Sequence, residues 1–423
     1  MAMSNIRRTL RGDFLKLWIG QLISNFGDQF FFMAIIGIIL FDRGMGAEYA
    51  ALMMVAMSVP ALIFGPIAGS YVDRWNRKKT MIVADILRAT IVFSLIFYGE
   101  IWYMFLSLFI LSSLSRFFFP ARNAIIPQIV DEELLLSANS MSQMTNMLSM
   151  IIGPAIGAAI VGILGGDTAI LLDVVSFFMS ALFIYVMRYS GAVEGKVETA
   201  KRLWKETTDG LKFCWQNRII RHMLLMTAII MAFLGGLNPI FMIYIRDVLG
   251  MNLMGFGIID SAQGLGSLIA SIALTVIGSA FSKKSIVFSG IMMVSIPVML
   301  ITFVHHTFIV IETLSLVGIG VVFFDTPITT LMQEAAPDRI RGRVFGAFGA
   351  ILQVAILVSM GIEGVLADML GATTVIFYAG LLSVLFTIFF FSFRSVRSSF
   401  DYRPEEDKSE QDIPPHHDAN FFK

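Results

Sequence analysis

Apolar stretches of about 20 residues, separated by short charged or Gly/Pro-rich breaks, run the length of the chain. At about 1.5 Å per residue, such a stretch crosses a hydrocarbon core of about 30 Å as a helix. The breaks delimit twelve candidate helices, at 15–41, 49–71, 80–98, 101–130, 138–164, 168–187, 222–246, 254–281, 285–304, 307–333, 344–370 and 373–393. Of the 31 Lys and Arg residues, this count places Arg43 and Arg246 in loops on one side. Arg116 and Arg122 lie within the fourth helix, and the rest sit on or near the other side. Cationic loops stay in the cytoplasm, so both termini are expected inside, which requires an even number of spans. The pattern predicts an all-α integral membrane protein.

Composition sharpens this picture. Only 15% of the residues are charged and 57% are hydrophobic, whereas soluble domains are about a quarter charged. The formal net charge is zero, so no nucleic acid partner is implied. Cys214 is the single cysteine, which excludes an internal disulfide and a thiolate metal cluster. His305 and His306 are adjacent and read as surface residues, not metal ligands. No Gly-x-x-x-x-Gly-Lys-Ser/Thr loop occurs, so ATP hydrolysis by this chain is not expected. No nucleophile–base spacing appears in the spans, and neither an enzyme nor a cofactor is expected. The basic start (Arg7, Arg8, Arg11) leads into a full-length span rather than a cleavable signal.

A shift of 207 residues places Pro120 on Pro327, Asp131 on Asp338 and Gly157 on Gly364, suggesting two related six-helix halves. The expected organisation is an N-terminal bundle over 1–187, a cytoplasmic linker over 188–221, a C-terminal bundle over 222–393 and a disordered cytoplasmic tail over 394–423. In the linker, Trp204, Thr208, Leu211 and Trp215 share one helical face. Two readings stand: a helix in the membrane interface, or one packed on the bundle. The tail is polar and acidic with few apolar residues.

Ionisable residues inside spans are costly in lipid and are functional candidates. Asp28 lies 13 residues into the first helix, roughly 20 Å along it, flanked by Asn25 and Gln29. It reads as either a proton-accepting carboxylate or a permanently paired one. An interaction with Arg116 on the fourth helix is geometrically possible. Arg122 is expected to join Asp131, and Asp85 and Arg88, three apart, to satisfy each other. Asp173 and Asp260 are read as near enough to the surface for hydration. Asn238, Glu312, Gln353 and Glu363 complete the polar candidates for a cavity. A fraction of the 27 Met and 38 Phe lining it would suit bulky apolar molecules.

Between the second and third spans stands Gly69-Ser-Tyr-Val-Asp73-Arg74-Trp-Asn76-Arg77-Lys78-Lys79. It resembles the signature loop of major facilitator superfamily transporters, with Asn76 in place of the usual glycine. Asn76 is read as tolerating a left-handed backbone. The resemblance implies twelve transmembrane helices in two six-helix bundles. It also implies a cytoplasmic gate in which Asp73 faces the N-terminus of helix 11 near Arg343, with Gly69, Arg74, Arg77, Lys78, Arg122 and Asp131 around it. The second copy, Gly278 to Lys284, has lost the aspartate. Gly153-Pro154-Ala-Ile-Gly157 resembles an antiporter element of the fifth helix, and Gly264, Ser267 and Ser271 offer a matching stripe on the eighth.

The runs Ile23-Ser-Asn-Phe-Gly-Asp28, Phe118-Phe-Pro120-Ala-Arg-Asn123, Asp131-Glu-Glu-Leu and Leu172-Asp173-Val-Val-Ser-Phe177 resemble the bacterial enterobactin exporter and macrolide efflux branch. That resemblance implies inner-membrane export of amphipathic or apolar small molecules by alternating access, in exchange for protons. The alternative is a lysophospholipid facilitator without obligatory proton coupling. The implied partners are a small-molecule substrate, protons and membrane lipids, with the chain working as a monomer.

Overall fold

The structure, a computed structural model, describes residues 8–72, 75–189, 208, 210–303, 306–337 and 340–401, apart from the side chains of 66, 67, 69, 70, 277 and 279. Twelve long helices follow in order: α1 Gly12–Asp42, α2 Ala47–Val72, α3 Arg77–Ser94, α4 Ile101–Ile129, α5 Leu135–Leu164, α6 Gly166–Tyr185, α7 Arg218–Val248, α8 Leu253–Ile277, α9 Lys283–Leu300, α10 Thr307–Ala335, α11 Arg341–Leu370 and α12 Ala372–Ser392. Eleven have the length and apolarity to cross a membrane. The twelfth, α3, is the helix diluted by Arg77, Lys78, Lys79, Asp85 and Arg88, and it packs between α4 and α6.

The two halves repeat in their packing as well as in their sequence. α1 packs on α5 and α6, α2 on α4, and α3 on α4 and α6; α7 packs on α11 and α12, α8 on α10, and α9 on α10 and α12. The halves meet through α5 on α8 and α2 on α11. Local detail repeats too. α1 and α7 both end in a π-helical turn, Gly37–Asp42 and Tyr244–Val248. Gly44 and Gly250 each take φ +62°, and Gly165 and Gly371 take +87° and +86°, a backbone region that glycine enters without a Cβ penalty. Asn76 and Ser282 begin α3 and α9 as N-caps. Asn76 has φ −64°, so it serves as a cap and not as the left-handed residue expected from the loop pattern.

Let the end where α1 begins be the terminal end and its opposite the far end. At the far end one apolar core spans both halves, joining Ile39, Leu40 and Met53 to Tyr244, Ile245 and Leu253. Arg246 reaches across the halves, bonding the carbonyls of Leu40 and Met45. Asp368 on α11 faces the backbone N–H groups of Ala47 and Glu48 at the start of α2, where the helix dipole favours an anion. At the terminal end the cores are separate. Phe14, Met81 and Ile125 belong to one, and Ile220, Val344 and Phe391 to the other. The halves are thus sealed at the far end and parted at the terminal end among the described residues.

Of the two flanking segments, the linker follows one of its two readings and the start of the tail departs from expectation. The described part of the linker packs on the bundle: a Cβ on Gly210 would lie 2.4 Å from the Arg343 carbonyl oxygen, and Cys214 is buried against Val344. Burial pushes the Cys214 thiol up to about 11, so it stays protonated. Trp204 lies outside the described residues, and Leu211 and Trp215 are exposed. The tail, expected to be disordered from Arg394, begins with a helix, α13 Arg394–Ser399. Val396 and Phe400 enter the terminal-end core, and Arg218 and His222 bond Ser398 and Ser399.

Candidate functional site

In the N-terminal half, α1, α3 and α6 converge on three carboxyls and one guanidinium. Arg88 contacts Asp85 one turn earlier, Nη1 to Oδ1 at 3.4 Å, and lies over the rings of Phe118 at 4.7 Å and Phe177 at 5.5 Å. Cation–π contact of this kind holds a desolvated guanidinium in place. Asp173 on α6 accepts from Ser176 and abuts Gly27 so closely that a Cβ there would sit 2.5 Å from its Oδ1. Asp28, on the next residue of α1, is in electrostatic reach of Arg88 and Asp173.

Accessibility divides the cluster. Asp85 and Asp173 are 0% exposed and Arg88 is 4% exposed, while Asp28 is exposed. Ser24, Phe31 and Ile35, one or two turns along α1, are buried. The exposure at Asp28 is therefore confined to its own position on that face of α1. Behind it, Asp85 Oδ2, Asp173 Oδ2 and Arg88 Nε and Nη2 have no hydrogen-bond partner among the described residues. Arg88 is one guanidinium beside three carboxyls, so the cluster holds more acids than its own cation balances.

This arrangement corrects three expectations. Asp28 faces Arg88, not Arg116, which stands half-buried on α4. Asp85 and Arg88 are not a self-contained pair, because Asp28 and Asp173 lie within electrostatic range of the same guanidinium. Asp173 is sealed inside, not hydrated at the surface. The signal missed was Gly27: a glycine beside a mid-helix carboxylate permits the close α1–α6 approach that brings Asp173 in.

Other N-terminal candidates serve local packing. Asn25 donates to Asn146 at 2.7 Å. Arg122 bonds Gln21 at 3.2 Å and Asn123 at 3.0 Å, whereas Asp131, its expected partner, is exposed near Arg8 and Arg11. Lys78 donates to the Met187 carbonyl at 2.7 Å, tying α3 to the end of α6 within one half. Asp73 and Arg74 lie outside the described residues; Gly69 lies in the last turn of α2, Arg77 begins α3 and Arg343 lies in the first turn of α11.

The α5 element contacts both neighbours. Gly153 and Gly157 accommodate Gln29 and Met33 of α1. The Pro154 region meets α8 through Gly257 and Gly264, and Ser261 Oγ accepts from the Ala155 amide at 3.3 Å. The α8 stripe on α5 is thus Gly257, Ser261 and Gly264. Ser267 instead bonds the Gly318 carbonyl of α10, and Ser271 bonds back to Ser267 within α8.

The C-terminal half encloses a cavity of about 320 Å³ between α7, α8, α9, α10 and α11. Its walls are apolar apart from Thr227, Asn238, Asp260, Gln263 and Asp325. Asp260, expected to be satisfied by surface water, is a wall residue; its distance from the helix end did not reveal which way it faces. Glu312 and Gln353 are not among the lining residues. Glu363 is buried at the break in α7, where a Cβ on Gly236 would lie 2.6 Å from its Oε2, and Ser359 accepts from the Gly236 amide at 2.9 Å. The break thus falls at Gly235–Gly236, just before Asn238 and Pro239.

Two repeated six-helix halves with polar groups buried within them are the architecture of a membrane transporter. The chain belongs to the Major Facilitator Superfamily, whose profile matches residues 17–359 and 223–417. Among similar proteins, macrolide efflux protein A of Streptococcus pyogenes is 25% identical, covering 89% of this chain and 94% of its own. The multidrug efflux pump Tap of Mycolicibacterium fortuitum is 24% identical over 86% and 91%. Among solved structures, the nucleoside transporter NupG aligns with a TM-score of 0.75 at 13% identity, covering 90% and 99%. A bacterial homologue of ferroportin in its inward-facing state aligns at 0.71 and 16% identity, covering 89% and 98%.

Proposed function

We propose that the protein exports amphipathic or apolar small molecules across the bacterial cell membrane by alternating access, exchanging them for protons. The observation that carries this reading is the cluster of three carboxyls around Arg88, of which Asp28 alone is exposed. Protonation of Asp28 lets its negative charge leave the cluster, and deprotonation restores the attraction to Arg88. In this reading the terminal end faces the cytoplasm, in line with the distribution of cations, and the separate cores at that end among the described residues support an inward-open state. On closure Asp73 latches the start of α11, an inverted counterpart of Asp368 at the start of α2 at the far end. The efflux-pump relatives support the export direction.

The test is transport in everted membrane vesicles, offered a labelled macrolide, a lipophilic dye and a labelled lysophospholipid with and without a protonophore. Concentrative uptake of the macrolide or dye that collapses with the protonophore is expected. Movement of lysophospholipid alone, indifferent to the protonophore, would replace this reading with a lipid facilitator.

A further inference from the structure

The cavity of the C-terminal half carries charge of one sign. Asp260 and Asp325 are its ionisable wall residues, and no Lys, Arg or His lines it among the described residues. The two acids sit at different depths. Asp260 is seven residues from the far end of α8 and Asp325 eighteen from the far end of α10, a separation along the helices of roughly 15 Å. Between them the wall of α10 is Val317 and Val321. Asn238 and Gln263 add neutral hydrogen-bonding groups near the Asp260 end.

This pattern differs in kind from the N-terminal cluster. There the carboxyls lie near an internal guanidinium; here, among the described residues, no Lys, Arg or His lines the slot. A carboxylate facing an apolar slot without a counter-ion attracts a cation from outside the protein. The apolar length between the acids rewards a ligand that carries hydrocarbon or aromatic surface with its charge. The volume, about 320 Å³, lies at the lower end of drug-sized pockets.

We infer that the slot between Asp260 and Asp325 in the C-terminal half is a binding site for amphipathic organic cations. The inference rests on the export reading for its physiological meaning and narrows the substrate class; the binding itself needs no proton gradient. The division of labour follows: the N-terminal half handles protons through Asp28, and the C-terminal half holds the positively charged cargo. Asp325, nearer the terminal end, meets an entering cation first, and Asp260 holds it deeper.

The experiment uses two ions of the same shape and opposite charge, tetraphenylphosphonium and tetraphenylborate, titrated into the purified full-length protein in detergent. Wild type is expected to bind the phosphonium much more tightly than the borate. Asp260→Asn and Asp325→Asn are each expected to weaken phosphonium binding by about thirtyfold, the scale of removing one partner of a desolvated charge pair, without weakening the borate. Val321→Trp, which fills the slot while keeping both acids, is expected to reduce phosphonium binding comparably. Equal affinity of wild type for both ions, or undiminished phosphonium binding by the Val321→Trp protein, would overturn the assignment. Because these are equilibrium measurements without a gradient, they hold or fail independently of proton coupling. That coupling is judged by the protonophore response in vesicles.

Discussion

Asp28→Asn is expected to reduce concentrative efflux in everted vesicles to background, a loss of about a hundredfold or more, the scale on which removing a proton-transferring group acts. Asparagine is nearly isosteric and keeps hydrogen-bonding capacity, so packing around Gly27 and Ser176 should survive. What disappears is the change of charge beside Arg88. The variant should therefore still equilibrate substrate down its own gradient while failing to build one. A parallel fall in both activities would point to a damaged fold, and unchanged concentrative efflux would remove Asp28 from the coupling step.

Removal of Arg88 should act differently, on stability as well as transport. Arg88→Gln leaves three carboxyls without a cation at a position 4% exposed. Breaking a buried ion pair from one side costs about 3–5 kcal/mol, and cation–π contact with Phe118 and Phe177 is lost as well. A large drop in the thermal unfolding midpoint of the purified protein is expected. Arg88→Lys should recover part of it, since an ammonium restores the charge but not the planar stacking. Adding Asp85→Asn to Arg88→Gln should be less damaging than additivity requires, because the partner left uncompensated is also removed. A wild-type midpoint in Arg88→Gln would mean that the cluster does not depend on its guanidinium.

The spans and the two-fold repeat were readable because each rests on a local quantity: apolar run length, punctuation by charge, or residues recurring at one offset. Asp28 was readable for the same reason, as a carboxylate inside an apolar run. Its partners were not. Asp85 and Arg88 are three residues apart, so spacing alone suggested a closed pair. Their connection to Asp28 and Asp173 depends on how closely α1 and α6 pack, which Gly27 permits and no periodicity records. Asp260 illustrates the same limit, since depth along a helix is legible while facing is not. The docked segment after α12 did leave a trace, in Val396 and Phe400 spaced one helical turn apart within a polar stretch.

The distinction between proton carrier and structural carboxylate, which sequence alone leaves open, turns on a single observable, proton movement itself. Proteoliposomes holding a pH-sensitive dye, with a labelled macrolide added on one side, report substrate flux and proton counterflow together. Wild type is expected to move protons opposite to the macrolide. Asp28→Asn is expected to pass macrolide downhill with no accompanying pH change. Proton counterflow in Asp28→Asn equal to that of wild type would contradict the assignment of coupling to the Arg88 cluster.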